Sequence, residues 1–181
     1  MTTYISMLRG INLGSHNKIK MEDLRNMLTG MHYQKVQTYI QSGNIVFQHP
    51  EADTKDLSAA IHQEMQQHFG LDVPVLTLPV AELKKVAAQN PYIKDVQKDP
   101  TYFHVTFLED APSPENIAKI DPVKYLPDEW VVVDKAVYLY CPNGYGNTKL
   151  HNSFLENKLK VTATTRNWKT THVLIDMAEK L

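Results

Sequence analysis

The chain has 181 residues, 43% hydrophobic and 22% charged, the balance of a protein that buries a core rather than of a disordered chain. Cys141 is the single cysteine, which excludes an internal disulfide and a cysteine-built metal site. A formal net charge of −1 argues against broad coating of nucleic acid, and no apolar run approaches the ~20 residues a membrane helix requires. With no basic-then-apolar leader pattern, the expected location is the cytoplasm, with no membrane partner.

The even balance hides local islands. Residues 1–49 carry five basic side chains against Glu22 and Asp23, and residues 145–170 carry five against Glu156 alone. Two basic islands in an otherwise acidic chain point to local anion sites or to solvated faces.

In chain order, residues 4–8 are predicted as a strand leading into a polar loop over 9–20. A short helix follows over 21–29, with Met21, Leu24 and Leu28 on one side and Gly30 as its stop. Residues 36–40 and 45–48 form a hairpin across Gln41-Ser42-Gly43-Asn44, with Gly43 and Asn44 expected to take the positive φ angles. A helix over 54–68 repeats Leu57, Ile61, Met65 and Phe69 every four residues and stops at Gly70. A fourth strand over 73–78 precedes a helix opened by Pro79.

The order then recurs. Residues 102–108 alternate Phe103, Val105 and Phe107 on one strand face, and a helix is expected over 114–120. Residues 130–133 and 137–140 form a second hairpin. A helix is predicted over 149–159, capped by Asn147 or Thr148, then a short strand over 161–164 and a closing helix over 167–181.

This pattern predicts an α+β fold: a tandem duplication of ferredoxin-like βαββαβ plaits, each followed by an extra helix. The expected subdomains are 1–90 and 91–181. A single mixed α+β domain with coincidental order is the other arrangement compatible with the pattern.

Such a plait has antiparallel neighbours and right-handed βαβ crossovers, so distant loops meet at a sheet edge. In the first half the 9–20 loop should lie beside the hairpin turn, gathering Arg9, Asn12, Lys18, Lys20, Gln41, Ser42 and Asn44. The set is rich in donors and lacks a carboxylate, as a phosphate or carboxylate ligand would require. The same residues also suit loop construction, with amides bonding loop carbonyls. In the second half, residues 141–148 should lie beside 164–168. That gathers Gly144, Gly146, Lys149, Arg166, Asn167 and Trp168 at what is predicted to be a helix N-terminus, a natural anion site or a plain cap. Trp168 would either pack in a core or stack on a nucleobase.

The eight histidines show no metal-ligand spacing, so no metal and no cofactor are expected. Neither cluster holds a carboxylate or histidine to act as general base, which leaves catalytic residues unassigned and counts against simple hydrolysis.

Leu8-Arg9-Gly10-Ile11-Asn12-Leu13-Gly14, Lys18, Met21 and Tyr39-Ile40-Gln41-Ser42-Gly43-Asn44-Ile45-Val46-Phe47 together resemble a bacterial family, domain-of-unknown-function family 1697. Pro142-Asn143-Gly144-Tyr145-Gly146 with Lys149, and Thr164-Thr165-Arg166-Asn167-Trp168-Lys169-Thr170, resemble its C-terminal motifs. The resemblance implies a tandem ferredoxin-like architecture and carries no activity with it.

The functional expectation is a binding module for a phosphate-bearing ligand, a small molecule, nucleotide or nucleic acid, held by the basic and amide loop clusters. Two alternatives come from other classes. One is an enzyme acting on a phosphorylated substrate by electrostatic stabilisation. The other is an interaction or structural protein whose polar motifs lock its two halves together. Oligomeric state has no signature in the sequence.

Overall fold

The computed structural model describes residues Met1–Leu181 as an α+β protein with two four-stranded antiparallel sheets and six α-helices. The elements follow one order twice. The first series is β1 (Thr2–Leu8), α1 (Met21–Gly30), β2 (Gln34–Tyr39), β3 (Asn44–His49), α2 (Thr54–Phe69), β4 (Val75–Pro79) and α3 (Val80–Ala88). The second is β5 (Phe103–Leu108), α4 (Pro114–Ile117), β6 (Glu129–Val133), β7 (Ala136–Tyr140), α5 (Asn152–Leu159), β8 (Ala163–Asn167) and α6 (Trp168–Glu179). Strand order is β2-β3-β1-β4 in one sheet and β6-β7-β5-β8 in the other, the same order position for position. No helix is long and apolar enough to cross a membrane.

Two compact units result: Met1–Lys84 with Val173–Leu181, and Lys85–His172. The last nine residues therefore group with the first unit, unlike the expected division at residue 90. The reason is tertiary. Lys35 Nζ donates to the Leu181 carbonyl oxygen at 2.9 Å, and Lys84 pairs with Glu179 at 2.6 Å.

In the first unit, period-two alternation sends Tyr4, Leu8, Ile45 and Phe47 to the face covered by α1 and α2, which contribute Leu24, Met27, Leu28, Leu57, Ile61 and Met65. Tyr4 stacks on Phe47 at 5.8 Å, and its hydroxyl both donates to the Ala52 carbonyl and accepts from the Ala52 N–H. Asp53 caps α2 by accepting from the N–H groups of Lys55 and Asp56, and Gly70 ends that helix at φ +65°.

In the second unit, Val137, Leu139 and Leu108 face a core completed by Ile120, Leu150, Leu155 and Leu159. The units share a further detail. Ser6 and Thr77 pair hydroxyls at 2.7 Å across β1 and β4, and Thr106 and Thr165 do so at the same distance across β5 and β8. The first pair is buried and the second partly so, and each is satisfied internally, the condition under which burying a hydroxyl is not costly.

Several boundaries differ from expectation. The α5 helix begins at Asn152, not 149, and its cap is His151, whose Nδ1 accepts from Phe154 N–H at 3.2 Å. The 114–120 helix stops at Ile117. The last strand lies over Ala163–Asn167 rather than 161–164, because pairing opposite β5 sets its register: Ala163 faces Leu108 and Asn167 faces His104. In the first hairpin the positive φ angles belong to Ile40 (+49°) and Gly43 (+83°), while Asn44 is already strand.

Candidate functional site

At the first sheet edge, chain reversal brings the 9–20 loop to the hairpin turn. Leu8 N–H donates to the Gly43 carbonyl at 2.8 Å. Asn12, at φ +53°, spends its whole carboxamide on the loop: Nδ2 donates to the carbonyls of Ile19 (3.0 Å) and Gln41 (2.7 Å), and Oδ1 accepts from Ile19 N–H (2.9 Å). Asn17 donates to the Gly10 carbonyl, and Asn44 Nδ2 to the Tyr39 carbonyl and Ser42 Oγ. Gly43 is required on two counts. Its φ is +83°, and a Cβ there would come within 2.7 Å of Leu8 Cβ and Ile11 Cδ1. Arg9 is half-buried with its N–H on the Pro74 carbonyl, whereas Lys18 and Gln41 are exposed. The edge holds the predicted residues in one region, with the amides of Asn12, Asn17 and Asn44 spent as cross-links.

The second sheet edge is built differently. Tyr140 and Asn167 pair with Phe103 and His104 at the start of β5, so the segment after β7 and the start of α6 share that edge. Gly144, at φ +90°, turns the chain into a single 3-10 turn over Tyr145–Asn147. The Tyr145 ring lies flat on His104, centroids 4.6 Å apart at 19°. Burial holds the His104 pKa below its ordinary value, partly offset by the Tyr102 backbone.

Arg166 is buried along β8. Its Nη1 donates to Thr164 Oγ1 (3.1 Å) and the Thr165 carbonyl (2.9 Å), and desolvation lowers its pKa to about 10 against the favourable influence of the Tyr145 phenolic group. Asn167 Oδ1 accepts from Thr170 N–H at 2.8 Å, capping α6. Trp168 packs edge-on against Phe103 (6.3 Å) and His172 (4.5 Å).

Lys149 sits elsewhere. With α5 starting at Asn152, it precedes the helix instead of occupying the first turn, and it lines a cleft of about 230 Å³. The opposite wall is the loop between α4 and β6. There Asp121 Oδ1 accepts from Val123 and Lys124 N–H, and Asp128 N–H donates to the Tyr125 carbonyl. These two tight turns bring Lys124, Tyr125, Leu126, Pro127 and Asp128 to face Asn143, Asn147 and Lys149.

Thr148 ties the walls together. Its hydroxyl donates to Asp128 Oδ2 at 2.8 Å while its oxygen accepts from Leu150 N–H at 3.1 Å. Asn147 Nδ2 donates to the Asn143 carbonyl at 2.8 Å. Tyr125 is braced edge-on by Phe154 at 5.3 Å. Lys124 Nζ lies 5.8 Å from the Tyr125 ring centroid, and neither Lys124 nor Lys149 enters an ion pair within the chain. The cleft is therefore lined by two lysines, two asparagines (Asn147 committed to the Asn143 carbonyl), a tyrosine and an aspartate bonded to Thr148.

Of the residues lining this cleft, the sequence points to Lys149 as a ligand residue and places Asn143 and Asn147 in the same Gly-containing loop, while Lys124, Tyr125 and Asp128 carry no local signal. Nothing local marks the 121–128 loop as the partner of that segment. Near the cleft wall, Cys141 is buried, and desolvation pushes its thiol up to about 11. No group of three or more His, Cys, Asp or Glu side chains is arranged to hold a metal ion.

The model of a family described as a protein of unknown function (DUF1697) matches residues 1–138. The chain belongs to this family. Family membership thus covers the first-edge loops, the hairpin and the 121–128 wall of the cleft, and it brings no activity with it. Among solved structures, the conserved bacterial protein SP0830 from Streptococcus pneumoniae is similar, with 22% identity over 98% of both chains and a TM-score of 0.72. At that identity the likeness is one of fold. No curated protein matches the sequence.

Proposed function

We propose that this DUF1697 protein is a binding module for a small phosphate-bearing ligand, held in the cleft that Lys124 and Lys149 flank. Each half is then a ferredoxin-like plait, a reading supported by the repeated β2-β3-β1-β4 order with helices after its first and third strands. The observation that carries the functional reading is the pair of lysines, drawn into no ion pair within the chain, lining one concave site with Asn143 and Asn147. Lysines serve phosphate as point charges, and amide groups supply orientation.

Arg166 and Asn167 belong to the strand and helix cap, while the Asn12, Ser42 and Asn44 side chains, with the Arg9 N–H and the Gln41 carbonyl, hold the first edge together. Gly144 contributes the turn that presents Asn147 and Lys149.

The experiment is a melting curve with inorganic phosphate and with AMP, for the native protein and for a Lys124→Ala/Lys149→Ala double variant. A ligand present at 100 times its Kd stabilises by about 2.7 kcal/mol, so saturating ligand should raise the native melting temperature by several degrees. The double variant, which loses only exposed side chains, should keep its unliganded melting temperature and lose the response. Superimposable native curves with and without both ligands would remove the proposal. For a nucleic-acid ligand, affinity must in addition fall steeply with salt.

A further inference from the structure

The cleft contains a group that a phosphate site does not need. Asp128 lines it alongside the two lysines, and a carboxylate a few ångströms from a phosphate is repulsive. Its orientation is not accidental to the local bonding. Because Thr148 Oγ1 accepts from Leu150 N–H, its single proton is directed to Asp128 Oδ2, which fixes the carboxylate of a residue that lines the cleft together with the lysines. An acceptor beside two donors favours a ligand carrying both an anion and hydroxyl groups. Size then narrows the class. About 230 Å³ falls below the ~300 Å³ at which pockets for cofactor-sized ligands begin, so a base, ribose and phosphate together would protrude. Tyr125, Leu126 and Pro127 supply an apolar wall suited to the C–H face of a sugar ring.

We infer that the ligand is a compact phosphorylated sugar, with its phosphate between Lys124 and Lys149 and a ring hydroxyl donating to Asp128. This rests on the phosphate reading above and goes beyond it in naming the ligand class and giving Asp128 the role of specificity determinant. The sugar phosphate could be free or could be the terminal unit of a nucleic acid.

Titration calorimetry with four probes separates the outcomes: inorganic phosphate, ribose 5-phosphate, AMP and a short RNA bearing a 5′-phosphate. A hydrogen bond to a charged acceptor implies that ribose 5-phosphate binds the native protein about tenfold more tightly than phosphate. It should also bind at least as tightly as AMP. Asp128→Asn should reduce the preference over phosphate to about threefold or less, since the carboxamide oxygen still accepts from the hydroxyl but without the charge that strengthens the bond. Phosphate and ribose 5-phosphate binding the native protein equally would overturn the sugar assignment while leaving phosphate binding intact. AMP binding more tightly than ribose 5-phosphate would overturn the compact ligand, whereas the RNA alone binding more tightly would identify a nucleic-acid end as the source of the sugar phosphate. Failure of all four probes would instead overturn the phosphate site. If Asp128→Asn does not fold, the ordering of the four probes on the native protein decides the matter.

Discussion

The two motif-bearing edges answer to the same topology and have been put to different uses. In the first, Asn12, Asn17 and Asn44 direct their amides inward to carbonyls of the loops they join, and Gly43 lets the hairpin close on Leu8 and Ile11. In the second, the Gly144 turn pushes Asn147 and Lys149 away from the sheet toward a loop that contributes Lys124 and Asp128. A donor-rich motif is a ligand site only when its hydrogen-bonding valences are left over after the loop has been built. Asn147, bonded to the Asn143 carbonyl, is spent in the same way, so the groups left over in the cleft are Lys124 and Lys149.

The contrast can be broken by substitution. Gly43→Ala forces a Cβ into Leu8 and Ile11 at positive φ and should cost about 3 kcal/mol in urea unfolding, combining backbone strain with overpacking. Gly146→Ala, with open space around the added methyl group, should change stability by less than about 0.5 kcal/mol. Equal costs would mean that the second turn is as tightly built as the first.

Asn12→Ala removes three hydrogen bonds and leaves a non-glycine residue at φ +53°, so about 2 kcal/mol should be lost. Asn147→Ala loses a single exposed bond to the Asn143 carbonyl and should cost less than about 1 kcal/mol. A reversed order would reassign the latch to the second edge.

Chemistry sharpens the comparison without mutation. With its pKa pushed up to about 11 and its side chain buried, native Cys141 should react with iodoacetamide at pH 8 at least roughly a hundredfold more slowly than the unfolded chain. Rapid native alkylation would show that the segment leading into the cleft opens readily.

The smallest effect concerns His104 under Tyr145. Its folded-state pKa lies below the ordinary 6.5, so the unfolded chain binds the proton more readily. Its contribution is complete above about pH 6.5 and declines as the pH falls further. His104→Phe keeps a ring beneath Tyr145 and should flatten that part of the stability–pH curve. An unchanged slope would locate the titration elsewhere.

Much of this architecture could be read directly from the residues. The spacing of Leu57, Ile61 and Met65 marked α2, the alternation of Phe103, Val105 and Phe107 marked β5, and the recurring element order anticipated two matching sheets. These features are legible because helix and strand periodicity are imposed by neighbours a few residues apart. Even the meeting of the 9–20 loop with the hairpin followed from strand direction. What local pattern did not decide is where the chain stops being strand or helix. The register of β8 opposite β5 and the His151 cap moved Arg166 into the sheet and Lys149 out of the helix. The cleft itself pairs Lys124 with Lys149 and Asp128 with Thr148, partners 20 and more residues apart that no periodicity links. Their approach is set by packing of the 121–128 loop against α5, through contacts such as Tyr125 on Phe154, and such contacts exist only once the chain has folded.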